Sequence, residues 1–102
     1  MPVSFAKRVS VPSDVLIREV SGESVILNLQ RQRYLGLDQV GTRMWKAVTT
    51  LDSIQAAYEV LLAEYDVDAK RLRRDLEDLV EKLVQQGLLE LVEPVVVEAT
   101  SP

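Results

Sequence analysis

The residues able to do chemistry in this chain are few in kind. Its 102 residues include no histidine and no cysteine, which removes the imidazole base, the thiolate nucleophile, disulfides and the usual donors to zinc or haem. Carboxylates are plentiful, but Asp66 and Asp68, and then Asp75, Glu77 and Asp78, fall at helix ends and on solvent faces. An acid–base pair needs a cleft that moves one pKa, and no cleft is implied here. Gly41 in Val40-Gly41-Thr42-Arg43 stands alone and makes no phosphate loop. No enzyme activity, cofactor or metal site is expected.

Lys70, Arg71, Arg73 and Arg74 have a second reading. They open a helix that follows another helix, where a recognition helix would enter DNA. Asp68, Asp75, Glu77, Asp78 and Glu81 are interleaved with them, and a phosphate backbone would repel these. The net charge of −4 divides into +3 over residues 1–48 and −7 over residues 49–102. A basic footprint is what nucleic acid requires. A winged-helix DNA-binding protein is therefore the weaker alternative, and no nucleic-acid partner is expected. No apolar run approaches a membrane span and no signal peptide opens the chain, so a soluble cytoplasmic protein without a membrane partner is expected.

The elements that would position any site follow from periodicity. Residues 14–20 and 24–29 alternate as half-buried strands, broken by Ser21-Gly22-Glu23. Gln30 to Arg33 supply a polar turn, and Tyr34 to Leu37 a third, very short strand. The period then changes to that of helix. Asp38 caps a first helix with Val40, Met44, Ala47, Val48 and Leu51 on one stripe, and Trp45 reads as a core aromatic. Asp52, with Gln55 at the capping-box position, starts a second helix carrying Ile54, Ala57, Tyr58, Leu61, Leu62 and Tyr65. Asp68 caps a third, and Gly87 ends it. Leu88 to Val92 read either as a short strand or as a chain returning to the core.

The expected class is α+β: a winged helix-turn-helix, with a three-stranded antiparallel sheet followed by three helices. Three segments are expected: a flexible lead-in over residues 1–12, a folded domain over 13–92 and a flexible tail over 93–102.

On the third helix, at about 100° per residue, Leu72, Leu76, Leu79 and Leu83 fill one narrow arc. Val80 and Val84 widen it to one side, bordered by Arg73 and Glu77. This arc puts Leu79 deep and Val80 at the margin, where the extra apolar width either packs on another helix or floors a groove. The strand Tyr34-Leu35-Gly36-Leu37 is the other unusual feature, because it is short, contains glycine and stands at a sheet edge.

The segments VILNLQRQRYLGLDQVGTRMWKAV, DSIQAAYEVLLAEYDVD and RRDLEDLVEKLVQQGLLE together resemble the PqqD-like proteins, recognition domains for the leader peptides of ribosomally made, modified peptides. The resemblance covers about residues 11–92. It rests on the Tyr-x-Gly-Leu-Asp junction into the first helix, Val-Gly-x-x-x-Trp within it, and Asp75 with Gly87-Leu88 around the third. Where relatives carry a glycine in the turn before the short strand, this chain has Gln30-Arg31-Gln32-Arg33.

The resemblance implies a non-catalytic adaptor that takes a leader peptide as an added strand. Peptide-binding residues would be Arg33, Tyr34, Leu35 and Gly36 on the strand, with Arg73, Asp75, Leu76, Glu77 and Val80 on the third helix. The free-standing domain is most similar to lasso-peptide members, which implies a leader peptidase as partner and a cyclase beyond it. A peptide chaperone in pyrroloquinoline quinone biosynthesis is the alternative. A monomer is expected.

Overall fold

The computed structural model describes residues 3–93. In chain order the elements are β1 (Arg8–Ser10), β2 (Val15–Val20), β3 (Glu23–Asn28), β4 (Arg33–Leu37), α1 (Gln39–Thr50), α2 (Ile54–Glu64), α3 (Ala69–Gln85) and β5 (Glu90–Val92). Strands β2, β3 and β4 form an antiparallel sheet in that order, while β1 and β5 pair as a separate antiparallel ribbon. The sheet followed by three helices is the expected α+β, winged-helix arrangement.

Local chemistry sets most of the boundaries. Ser21 and Gly22 both have positive φ (55° and 84°), the handedness a two-residue hairpin needs to match strand twist. The β3–β4 turn closes without glycine. Gln32 itself takes φ 55°, and the Asn28 side chain accepts from the Arg31 N–H at 2.9 Å. Asp38 caps α1 by accepting from the Gly41 N–H at 2.8 Å. Asp68 caps α3 through the Lys70 N–H at 3.3 Å. At the far end of α3, Gly87 (φ 74°) donates to Val84 O at 3.0 Å and Leu88 to Leu83 O at 2.8 Å. This is the paired bond pattern that seals a helix C-terminus, and it drops Leu88 into the core.

Three expectations are corrected. The first concerns residues 3–12, which were expected to lie loose. Instead Phe5 (5% exposed) and Val9 (7%) belong to the core, and β1 pairs with β5. The lead-in read as loose because so short a segment shows no period; its partners are residues far along the chain. The expected tail over 93–102 lies outside the described residues from 94 onward.

The second concerns the start of α2. Ser53, not Asp52, is its cap, accepting from the Ala56 N–H at 3.0 Å. The first-turn donors Ile54 and Gln55 are taken by the carbonyls of Lys7 (2.9 Å) and Phe5 (2.8 Å). The lead-in thus satisfies a helix end that the sequence assigned to a capping box.

The third concerns α3. Leu72, Leu76, Val80 and Leu83 are buried, and Leu79 is only half-buried. Val80 sits in the core at 0% exposure. The lead-in and α2 pack on the Arg73 side of α3, so the buried arc is turned toward Val80 and away from Leu79.

Candidate functional site

The phase of the sheet decides which backbone groups are free. The Leu29 N–H donates to Asp14 O at 3.0 Å, so Asp14 and Leu29 are a hydrogen-bonded pair. Alternation along the β2–β3 register (Leu16 with Leu27, Arg18 with Val25) then gives Leu27 and Val25 to β2. Ser24, Ile26 and Asn28 turn to β4, where they meet Leu37, Leu35 and Arg33. Tyr34 and Gly36 are left with their N–H and C=O groups on the outer edge. Such an edge is a template for another strand.

Side chains on β4 alternate across the sheet. Leu35 pairs with the buried Ile26 and is half-buried itself, so it faces the helices. Arg33, on the same face, donates from Nη1 to Gln86 Oε1 at 3.2 Å. This ties one end of β4 to the end of α3. Tyr34, opposite Leu27 on the outer face, is 70% exposed.

Leu79 lies one helical repeat before Gln86, on nearly the same side of α3. Below the other end of β4, where the chain turns into α1, a pocket of about 440 Å³ opens between α1 and α3. Val40, Met44, Tyr65, Val67 and Leu72 give it an apolar lining, and Asp75 stands at its rim. Val40 and Val67 are 43% and 46% exposed. Asp75 is exposed and only loosely paired with Arg71, at 3.9 Å.

The expected site residues therefore separate. Arg33, Tyr34, Leu35 and Gly36 share the edge strand, and Asp75 lies beside the pocket at its end. Leu76 and Val80 are at 0% exposure and serve as packing beneath the surface. Arg73 and Glu77 project from the opposite flank of α3, roughly 120° or more around the helix from Leu79, and both are engaged by the lead-in. The Arg73 guanidinium lies 4.0 Å from the Phe5 ring centre and 5.6 Å from that of Tyr58, and donates to Gln55 Oε1 at 3.5 Å. Glu77 accepts from the Val3 N–H at 3.1 Å.

Sequence reasoning missed Leu79, Gln86 and the pocket residues Val40 and Met44. Val40 carried a usable sign, an apolar side chain in the first turn of α1 where the stripe has little core to meet.

Chemically the arrangement offers groups that can bind an extended chain. Among the described residues no group of acidic side chains could hold a metal ion, and no helix is long and apolar enough to cross a membrane. The unpaired edge offers donors and acceptors in register, and the half-buried leucines and the pocket offer apolar anchorage alongside.

Comparison with known proteins adds the following. Residues 23–89 match the family described as coenzyme PQQ synthesis protein D (PqqD). A solved structure titled "TbiB1 in Complex with the TbiA(beta) Leader Peptide" is 34% identical, with a TM-score of 0.72 over 78% of this chain and 93% of that one. Another, "Lasso peptide synthetase B1 complexed with the leader peptide", is 18% identical with a TM-score of 0.72 over 81% and 98%, a likeness of fold. No curated protein matches.

Proposed function

Because this chain belongs to the PqqD family, we propose that it is a non-catalytic adaptor that binds the leader peptide of a ribosomally made precursor. The peptide adds as a strand to β4, and the chain presents the precursor to a leader peptidase and to the cyclase of lasso-peptide biosynthesis. The observation that carries this reading is the outward-facing edge at Tyr34 and Gly36, with an apolar pocket between α1 and α3 beyond its end, in a fold whose 34% identical relative is solved with a leader peptide on it. A peptide strand satisfies the edge groups, and its alternate side chains turn toward the helices.

The revised peptide site is Arg33 to Gly36 on β4, with Leu79, Asp75 and Gln86 on α3 and the pocket floored by Met44. The peptide-recognition domain of residues 13–92 is extended by the packed segment from Val3. Catalysis belongs to the partner enzymes. The family's description favours a second reading, a chaperone for the peptide precursor of pyrroloquinoline quinone; the likeness to a lasso complex favours the first.

The test is titration with the leader of the chain's own precursor, with a quinone-cofactor precursor peptide and with a random DNA duplex. Leader binding at about micromolar affinity, roughly −8 kcal/mol, is expected, with amide exchange slowed at Tyr34 and Gly36. Protection at residues 15–20 would put the peptide on the β2 edge. Duplex binding with a steep salt dependence and no leader binding would overturn the adaptor reading.

A further inference from the structure

Gly36 has no explanation inside its own molecule. It lies within a strand, where glycine costs backbone entropy and packs nothing. Its φ lies outside the left-handed region, and a Cβ built on it meets nothing within 4 Å. Around it the outer face of the sheet opens into a depression of about 620 Å³, bordered by Val20, Val25 and Arg18. Val25, the residue paired with Gly36 on β3, is 38% exposed, Val20 is 75% exposed, and the ring of Tyr34 on the near side is 70% exposed. The molecule thus keeps a bare notch beside the edge where the Tyr34 and Gly36 backbone groups point outward. Val20 and Val25 form its apolar wall, with Arg18, Glu23 and Asp38 at its rim.

We propose that this notch is a specificity subsite for one residue of the added peptide strand, taking a large apolar or aromatic side chain that lies across Gly36 onto Val25. The inference rests on the strand-addition reading above. A peptide residue directly opposite Gly36 directs its side chain to the outer face, because facing residues on adjacent strands share a face of the sheet. With no side chain at position 36, that group crosses the strand without a clash and covers Val25, flanked by Tyr34. The notch lies on the face opposite the helices, toward which the alternate residues turn. The peptide is therefore read on both faces.

Selection of a displayed library of short random peptides tests this, run in parallel on the protein and on Gly36→Val. The open space around position 36 predicts that Gly36→Val folds with a Tm at or above the parent's. Peptides enriched on the parent should carry a large apolar or aromatic residue at one position, and those enriched on Gly36→Val should lose that preference.

One enriched peptide is then made with that residue replaced by alanine, and the four combinations are titrated. Each single change should weaken binding by about three- to tenfold, and both together no more than either alone. Weakening that multiplies, or a position with no preference, overturns the notch while slowed exchange at Tyr34 and Gly36 leaves strand addition standing. Failure to enrich any peptide overturns strand addition itself.

Discussion

Leu79 and Val80 are neighbours in sequence and opposites in role, so exchanging each for alanine separates packing from recognition. Val80 is at 0% exposure; Val80→Ala removes two buried methyl-sized groups, about 1.6 kcal/mol of transfer free energy at about 0.8 each. The unfilled space brings the loss to about 2–3 kcal/mol. A chain of 102 residues has about 5–15 kcal/mol to lose, so the variant stays folded at room temperature with Tm lowered by about 10–20 °C. Leu79 is half-buried, and Leu79→Ala leaves no sealed cavity, so about 1 kcal/mol of stability is expected to go.

Binding should reverse that order. If Leu79 meets an apolar side chain of the leader, its loss weakens Kd by about tenfold, near 1.4 kcal/mol. Val80→Ala, out of reach of any ligand, should stay within about twofold. Thermal melts and calorimetric titration at a temperature where both variants are folded give the four numbers. A Val80→Ala protein that binds worse than Leu79→Ala while fully folded would refute the assignment of the two faces.

Two further outcomes follow from the helix ends and the surface charges. Ser53→Ala should lower stability by about 1 kcal/mol, as loss of an N-cap does, whereas Asp52→Ala should lie within about 0.5 kcal/mol of the parent in denaturant melts; the reverse order would restore the capping box. The second outcome concerns Glu64, which accepts two hydrogen bonds from the Arg43 guanidinium. The hydrogen bond to Arg43 and its charge hold the Glu64 carboxyl below its ordinary value. A carboxyl lowered on folding contributes stability above its unfolded pKa and loses it as pH falls through the folded one. Tm against pH should therefore fall less steeply on the acid side for Glu64→Gln than for the parent, and parallel curves would show the pair contributes nothing.

Period and punctuation were enough to read much of this protein from its residues. Alternation over 14–20 and 24–29 marked the two strands of the hairpin but not their buried face. β2 is exposed beyond Val15, and on β3 Ser24, Ile26 and Asn28 face the core while Val25 and Leu29 are exposed. Which side of a strand is covered depends on what packs against the sheet. Asp38, Asp68 and Gly87 fixed helix ends, because their bonds reach only two to five residues along the chain and are legible locally. The strand read over Tyr34–Leu37, observed as Arg33–Leu37, was recognisable for the same reason, as a short β segment with a glycine in it. What lay beyond reach was set by contacts across the whole chain. The lead-in has no period of its own, yet its carbonyls take the first donors of α2 and its Phe5 stacks under Arg73. That packing adds a wall on one flank of α3. An apolar stripe specifies that a helix has a buried side, but the centre of that side depends on what is packed against each flank. With the lead-in in place the centre moves toward Val80, Arg73 and Glu77 are engaged, and Leu79 is left half-buried at the rim.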